Sequence, residues 1–169
     1  MKIIILATLA IAELIMLGVQ PSTANPLTVR FYCGQSFDTA RNKILPTTFV
    51  ATSARSESIA LIRWGSSFGG YSPQVRCNMV ASKFQTAWTG GNLKFIKSGV
   101  SDRTGQGIIC GTADRQQKCD DSQILFTLKN HQDAKNIIAN INNIRSGKTS
   151  GPSPQSAGDS PVDLEELIK

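Results

Sequence analysis

Four cysteines, Cys33, Cys77, Cys110 and Cys119, constrain the fold of this 169-residue chain more than any other feature. In an exported chain, an even number of cysteines indicates a disulfide framework, here of two bonds. A zinc site is the alternative, but the sequence has no Cys-x-x-Cys pair and its single histidine is His131. The missing close pair also argues against a redox site. We therefore predict two structural disulfides in an oxidising compartment.

The N-terminal segment indicates export to such a compartment. A basic start is followed by a run of 17 mainly apolar residues at positions 3–19. Ser22 and Ala24 are small residues at the positions that a signal peptidase reads, so we predict a cleavable secretory signal over residues 1–24. An uncleaved membrane anchor is the alternative, but it needs roughly 20 apolar residues. Glu13 lies inside the run and fits neither interpretation well.

The cysteine spacing favours one of the three possible disulfide pairings. Cys110 and Cys119 bracket a polar turn at residues 111–118 between two strand-like runs, which favours a bond between them. This leaves Cys33 to pair with Cys77. Chain entropy predicts a contribution of about 2.7 kcal/mol for the shorter loop and about 4 kcal/mol for the longer one.

Charge is distributed unevenly along the mature chain. Residues 25–148 carry 16 Lys and Arg against seven Asp and Glu, a net charge of +9, whereas residues 149–169 carry a net charge of −3. We therefore expect a signal peptide at 1–24, one disulfide-bonded domain at 25–148 and a flexible acidic tail at 149–169. The basic domain either attracts an anionic partner or is simply kept soluble by its charge.

The pattern of apolar residues predicts an α+β fold with the order βββαβββα. Alternation and β-branched residues indicate strands near residues 27–33, 47–52, 59–64, 93–97, 107–110 and 123–129, and helices at 73–88 and 133–145. Ser72 and Pro73 form a typical helix start. We expect one antiparallel sheet of about six strands with both helices packed on one face. Residues 34–45 are polar and are expected to form a loop.

The end of the chain has a different character. Residues 150–161 are rich in Gly, Pro and Ser and are expected to be flexible. Residues 161–169 have the pattern of a short amphipathic helix, capped by Ser160, that is too short to be stable alone. Such a segment is either a frayed end or a peptide that orders on a partner, and we favour the frayed end.

The sequence has no motif typical of a catalytic, cofactor or metal site, so we predict no catalytic residue, no cofactor and no metal site. A single histidine, His131, excludes most Ser-His and Cys-His arrangements, and it lies in a polar stretch. The glycines near residues 65–70 and 105–107 lack the Lys-Ser/Thr ending of a phosphate-binding loop. Asp120 and Asp121 are adjacent in a loop, where solvation explains them better than acid–base chemistry or calcium binding. We predict that the protein is not an enzyme.

One stretch has the composition of a recognition surface. Arg63, Trp64, Phe68, Tyr71 and Arg76 combine arginine with aromatic residues on the connection between a strand and a helix. They form the predicted partner-contact surface. The alternative is that Trp64 belongs to the core while Arg63 and Arg76 make local contacts.

Several motifs together resemble the circadian-oscillating-protein family of cyanobacteria. They are Pro46-Thr-Thr, Ile62-Arg-Trp64, Ser72-Pro-Gln-Val-Arg-Cys77, Phe84-Gln85, Gly90-Gly-Asn-Leu93, Gly107-Ile-Ile-Cys110, Cys119 and Leu125-Phe-Thr-Leu128. The similarity covers roughly residues 31–145, and its departures are minor, at Ala81 and Lys83. It implies a cyanobacterial exported protein, peripheral to membranes, whose expression follows the daily cycle. The family pattern has no established catalytic residues, and its cysteines agree with two disulfides.

These observations lead to two functional expectations. The first is a non-enzymatic protein, exported to the periplasm or thylakoid lumen, whose basic domain associates with an anionic membrane surface or a membrane protein complex. The second is a soluble recognition module that binds a partner through the Trp64–Arg76 loop. Nucleic acid is not an expected partner in either compartment, and nothing in the sequence indicates an oligomeric state.

Overall fold

The computed structural model describes residues 27–145 and 160–169. In chain order, the elements are β1 (Val29–Asp38), β2 (Lys43–Thr52), β3 (Ile59–Arg63), α1 (Pro73–Thr89), β4 (Phe95–Val100), β5 (Gly107–Thr112), a 3-10 turn (Asp121–Gln123), β6 (Ile124–Leu128), α2 (His131–Arg145), β7 (Val162–Asp163) and α3 (Leu164–Ile168). The predicted signal at 1–24 and most of the predicted flexible linker lie outside the described residues.

The strands form two antiparallel sheets. One has the order β1-β2-β3 and the other the order β6-β5-β4-β7. The α+β class and the order of the first eight helices and strands are confirmed, whereas the prediction of a single sheet of about six strands is wrong. The sheets meet through side chains, because the Trp64 ring after β3 packs edge-on against the Phe126 ring of β6 at 5.3 Å between centroids.

Each sheet has its own helix, which corrects the expectation that both helices pack on one face. α1 packs on β1 and β2, and α2 packs on β4 and β5. The buried faces of both halves nevertheless belong to one continuous hydrophobic core, which includes Phe84 of α1 and Ile138 of α2. The chain therefore folds around a shared core rather than on a continuous hydrogen-bonded sheet.

The first hairpin is longer than the sequence indicates. Residues 34–45, predicted as a loop, mostly continue β1 and β2, with register pairs from Val29↔Thr52 to Asp38↔Lys43. The predicted β2–β3 hairpin is confirmed. A polar stretch can form strand here because the backbone pairing continues past the buried part of the sheet. Gln35, Phe37, Lys43 and Ile44 are exposed there, so apolar alternation is not required.

Helix α1 follows its predicted signals closely. The Ser72 hydroxyl accepts a hydrogen bond from the backbone N–H of Val75 at 3.3 Å, and Pro73 occupies the first turn. Cys77 and Phe84 are fully buried on the predicted stripe. Gly91, at φ 73°, follows the end of the helix in a conformation that favours glycine.

The two predicted disulfides are confirmed. Cys33–Cys77 joins β1 to α1, and Cys110–Cys119 joins β5 to the loop that follows it. Cys119 lies in that loop rather than on a facing strand, and it packs closely against Gly99 of β4. Two disulfides fit an oxidising environment.

The prediction of a frayed end at residues 161–169 is wrong. β7 pairs with β4, and the backbone N–H of Leu164 donates to the Lys94 carbonyl at 3.0 Å. Four side chains of this segment are buried in the shared core: Val162, Leu164, Leu167 and Ile168. The segment is too short to be stable alone, but tertiary packing supplies the stability that an isolated peptide lacks.

No helix within residues 27–145 or 160–169 has both the length and the hydropathy needed to cross a membrane.

Candidate functional site

The predicted contact surface is organised around Arg76. Its guanidinium carbon lies 4.6 Å from the ring centroid of Trp64 and 5.3 Å from that of Phe68. The same group donates hydrogen bonds to the Ser66 carbonyl at 3.3 Å and the Thr127 carbonyl at 3.1 Å. Arg76 therefore ties the loop after β3 to both α1 and β6 through cation–π contacts and backbone hydrogen bonds.

Burial lowers the pKa of the Arg76 guanidinium, because the charged form loses hydration. The group remains protonated at neutral pH. Arg76 makes no ion pair with any carboxylate in the part of the chain that the structure describes. Among the described residues, two ring faces and two carbonyl oxygens stabilise its charge.

Trp64 is a core residue, which agrees with the second of its two sequence interpretations rather than with a place on the contact surface. Only 3% of the side chain is exposed, and its indole N–H donates to the Thr48 hydroxyl at 2.9 Å. A buried indole needs such a partner for its polar atom. The sequence allowed both interpretations of Trp64, and the structure decides for the core.

A tight turn presents Tyr71 to solvent. The backbones of Phe68 and Tyr71 exchange two hydrogen bonds of 3.1 Å across Gly69 and Gly70. Both glycines have positive φ, 61° and 81°, as a type I′ turn requires, so a residue with a side chain would be strained at either position. Tyr71 is 50% exposed. Of the predicted contact residues, Arg63 and Tyr71 are the exposed ones.

Arg63 and Arg76 line a cavity of about 300 Å³ together with Arg41. The Arg63 Nε donates to the Ser36 hydroxyl at 3.0 Å. The apolar part of the wall consists of Ile62, Trp64, Phe126, Leu128 and Ile137. Five segments therefore build one arginine-lined cavity: the β1–β2 turn, β3 with the loop after it, α1, β6 and α2.

Arg41 reaches this cavity from the turn between β1 and β2. Its backbone N–H and its guanidinium each donate to the Asp38 carboxylate at 2.9 Å. The hydrogen bond from the Arg41 backbone is the main cause that holds the pKa of Asp38 below its ordinary value, followed by the guanidinium. Gly65 lies beneath the Arg41 side chain. No sequence signal identified Arg41, because it lies in a stretch predicted as a loop.

The tip of the same hairpin exposes two large apolar side chains. Phe37 and Ile44 are register partners, 53% and 64% exposed. Two exposed cationic residues lie between them, Arg41 in the turn and Lys43 at the start of β2. We refer to Phe37, Arg41, Lys43 and Ile44 as the hairpin tip.

Within residues 27–145 and 160–169, no group of three or more His, Cys, Asp and Glu side chains is arranged to hold a metal ion.

These features define a class: a small α+β domain of two antiparallel sheets, held by two disulfides, with an arginine-lined cavity beside an exposed hairpin tip. The family model described as circadian oscillating protein COP23 matches residues 30–169, and the chain belongs to this family. The match confirms the resemblance found in the sequence, and it extends over the C-terminal segment. No curated protein and no solved structure matches the chain.

Proposed function

We propose that this is a non-enzymatic exported protein that associates reversibly with an anionic membrane surface through its hairpin tip. The observation that carries the proposal is the exposed pair Phe37 and Ile44, beside the cationic residues Arg41 and Lys43. An aromatic–aliphatic pair flanked by cations matches the boundary between acyl chains and anionic head groups.

The magnitudes agree with weak, reversible binding. Completing the burial of two half-exposed apolar side chains contributes about 1–2 kcal/mol each. Each cation near an anionic surface adds about 1 kcal/mol, although Arg41 is already paired with Asp38. The total of about 3–6 kcal/mol corresponds to a dissociation constant between millimolar and tens of micromolar. The net charge of +9 over residues 25–148 adds a screened, long-range attraction.

Export is part of the proposal. The two disulfides support an oxidising compartment. The mass of the protein purified from its native cells tests cleavage after Ala24, and a mass that still includes residues 1–24 would contradict it.

The membrane proposal is tested by co-sedimentation of the mature protein with vesicles. One set contains phosphatidylglycerol and phosphatidylcholine, and the other contains phosphatidylcholine alone. We expect binding to the anionic vesicles that weakens as salt increases. The double variant Phe37→Thr/Ile44→Thr should bind at least about tenfold more weakly, since threonine keeps the β-propensity and removes the apolar surface.

A matched control is Val100→Thr, because Val100 is also exposed, at 41%, but lies on β4. It should bind like the wild type. Equal binding of the double variant and the control would refute the role of the hairpin tip. If the wild type binds neither the anionic nor the phosphatidylcholine vesicles, membrane association itself is refuted.

A further inference from the structure

The arginine-lined cavity has the composition of a ligand site. Three guanidinium side chains line it, from Arg41, Arg63 and Arg76, and no Asp or Glu side chain of the described ranges does. Its volume of about 300 Å³ lies at the lower end of the range for small-molecule sites. An amphipathic wall of this kind suits a ligand with one anionic end and one apolar end.

The protein balances the cations of the cavity only in part. Asp38 is paired with Arg41 at 2.9 Å, and its charge also acts on Arg63. Neither Arg63 nor Arg76 is ion-paired with a carboxylate of the described chain. Arg76 is partly buried as well, and a partly buried cation without a counter-ion is costly to keep. An anionic ligand would supply the missing charge.

Donor groups remain available for such a ligand. Arg63 uses its Nε for Ser36, and no acceptor within residues 27–145 and 160–169 takes a hydrogen bond from its two terminal amino groups. A guanidinium presents paired donors in a fork that matches the two oxygens of a carboxylate or phosphate. Arg63 is exposed at the rim, so it can reorient towards a ligand without disturbing the core.

The other wall of the cavity is apolar. Ile62 and Phe126 are 3% and 5% exposed, and Leu128 and Ile137 are half-buried beside them. A purely ionic ligand would leave the accessible part of this wall, on Leu128 and Ile137, uncovered. The wall therefore favours a ligand whose anionic group is attached to a hydrocarbon body.

We propose that this cavity binds the oxyanion of an amphiphile, a carboxylate or phosphate attached to a hydrocarbon chain, with Arg63 as the main contact. The same chemistry is found in a free fatty acid and in the head group of an anionic lipid. The site shares Arg41 with the hairpin tip, but Arg63 and the apolar wall belong to the cavity alone.

Isothermal titration of the mature protein with decanoate tests the site, with decyltrimethylammonium as a probe of equal chain length and opposite charge. We expect one decanoate per protein and at least about tenfold weaker binding of the cationic probe. Arg63→Gln should weaken decanoate binding about tenfold or more. Lys83→Gln removes one exposed positive charge from α1 and should bind like the wild type.

Equal affinity of the Arg63 and Lys83 variants for decanoate would overturn the proposal, because the attraction would then be non-specific. Equal affinity of the wild type for both probes would overturn it as well. Binding of Arg63→Gln to vesicles that contain phosphatidylglycerol distinguishes the two sources of the ligand. If Arg63→Gln also loses vesicle binding, the site takes a lipid head group; if it loses only decanoate binding, the site takes a free amphiphile.

The two proposals fail separately. The variant Phe37→Thr/Ile44→Thr should keep full decanoate affinity while it loses vesicle binding. Loss of decanoate binding in this variant would contradict the placement of the ligand in the cavity.

Discussion

Leu164 provides the sharpest test of how the C-terminal segment is held. Its side chain is fully buried at the start of α3, a helix of five residues. Replacing a fully buried Leu by Ala removes its apolar contacts and leaves a cavity, which costs 2–5 kcal/mol in measured cases. We expect Leu164→Ala to lower the free energy of unfolding by about 3 kcal/mol.

Equilibrium unfolding in urea, followed by far-UV circular dichroism with the disulfides intact, measures this change. With a slope of about 1–3 kcal/mol per molar urea, the midpoint should fall by about 1–3 M. Glu165→Ala is the matched control, because Glu165 is the next residue and its side chain is exposed. The control should change the free energy of unfolding by less than about 0.5 kcal/mol.

The urea midpoints distinguish a C-terminal segment packed in the core from a frayed end. A loss of about 3 kcal/mol in Leu164→Ala alone would support the segment as part of the folded core. Equal midpoints for Leu164→Ala and Glu165→Ala would refute the reasoning, because a frayed end has no buried contacts to lose. If the end is frayed, deleting residues 160–169 should also leave the urea midpoint almost unchanged. If the segment is packed in the core, the deletion should lower the free energy of unfolding more than Leu164→Ala does.

Two further predictions concern local structure and acid stability. Gly107→Ala should lower the free energy of unfolding by about 1–3 kcal/mol, because the added Cβ would overlap the Asn130 carbonyl before α2. A loss below about 0.5 kcal/mol in urea unfolding would contradict this, since the backbone at Asn130 would then have moved away at little cost. The pKa of Asp38 is lowered in the folded protein, mainly by the hydrogen bond from the Arg41 backbone N–H. The ionised carboxylate therefore stabilises the fold at pH values above its unfolded pKa. This contribution is lost as the pH falls through the lower pKa of the folded state. The difference in unfolding free energy between wild type and Asp38→Asn should therefore shrink on acidification from pH 7 to pH 2, and a constant difference would contradict the role of this hydrogen bond.

The predictable part of the fold depended on short-range signals. The pairing of Cys110 with Cys119 followed from a polar turn between them, and Ser72 and Pro73 placed the start of α1. The family was evident from ordered motifs spread over most of the mature chain. The turn and the helix cap depend on residues close together in the chain, and the family motifs depend on their order along it. Both can therefore be recognised in the sequence alone.

The candidate site was only partly predictable. The sequence brought Arg63, Trp64 and Arg76 together, because they lie on one connection between a strand and a helix. It could not place Trp64 in the core, since burial depends on Phe126, which is distant in sequence. It also missed Arg41, which enters the cavity only because β1 and β2 extend as a long edge hairpin.

The sequence predicted the α+β class, favoured one of three disulfide pairings and gave the domain its cationic character. Tertiary structure alone decided that the strands divide into two sheets, that the last residues pack into the core and that three arginines share one cavity. The physical reason is the range of the interactions. Caps, turns and alternation act between near neighbours, whereas burial and charge balance depend on surfaces that meet only after the chain has folded.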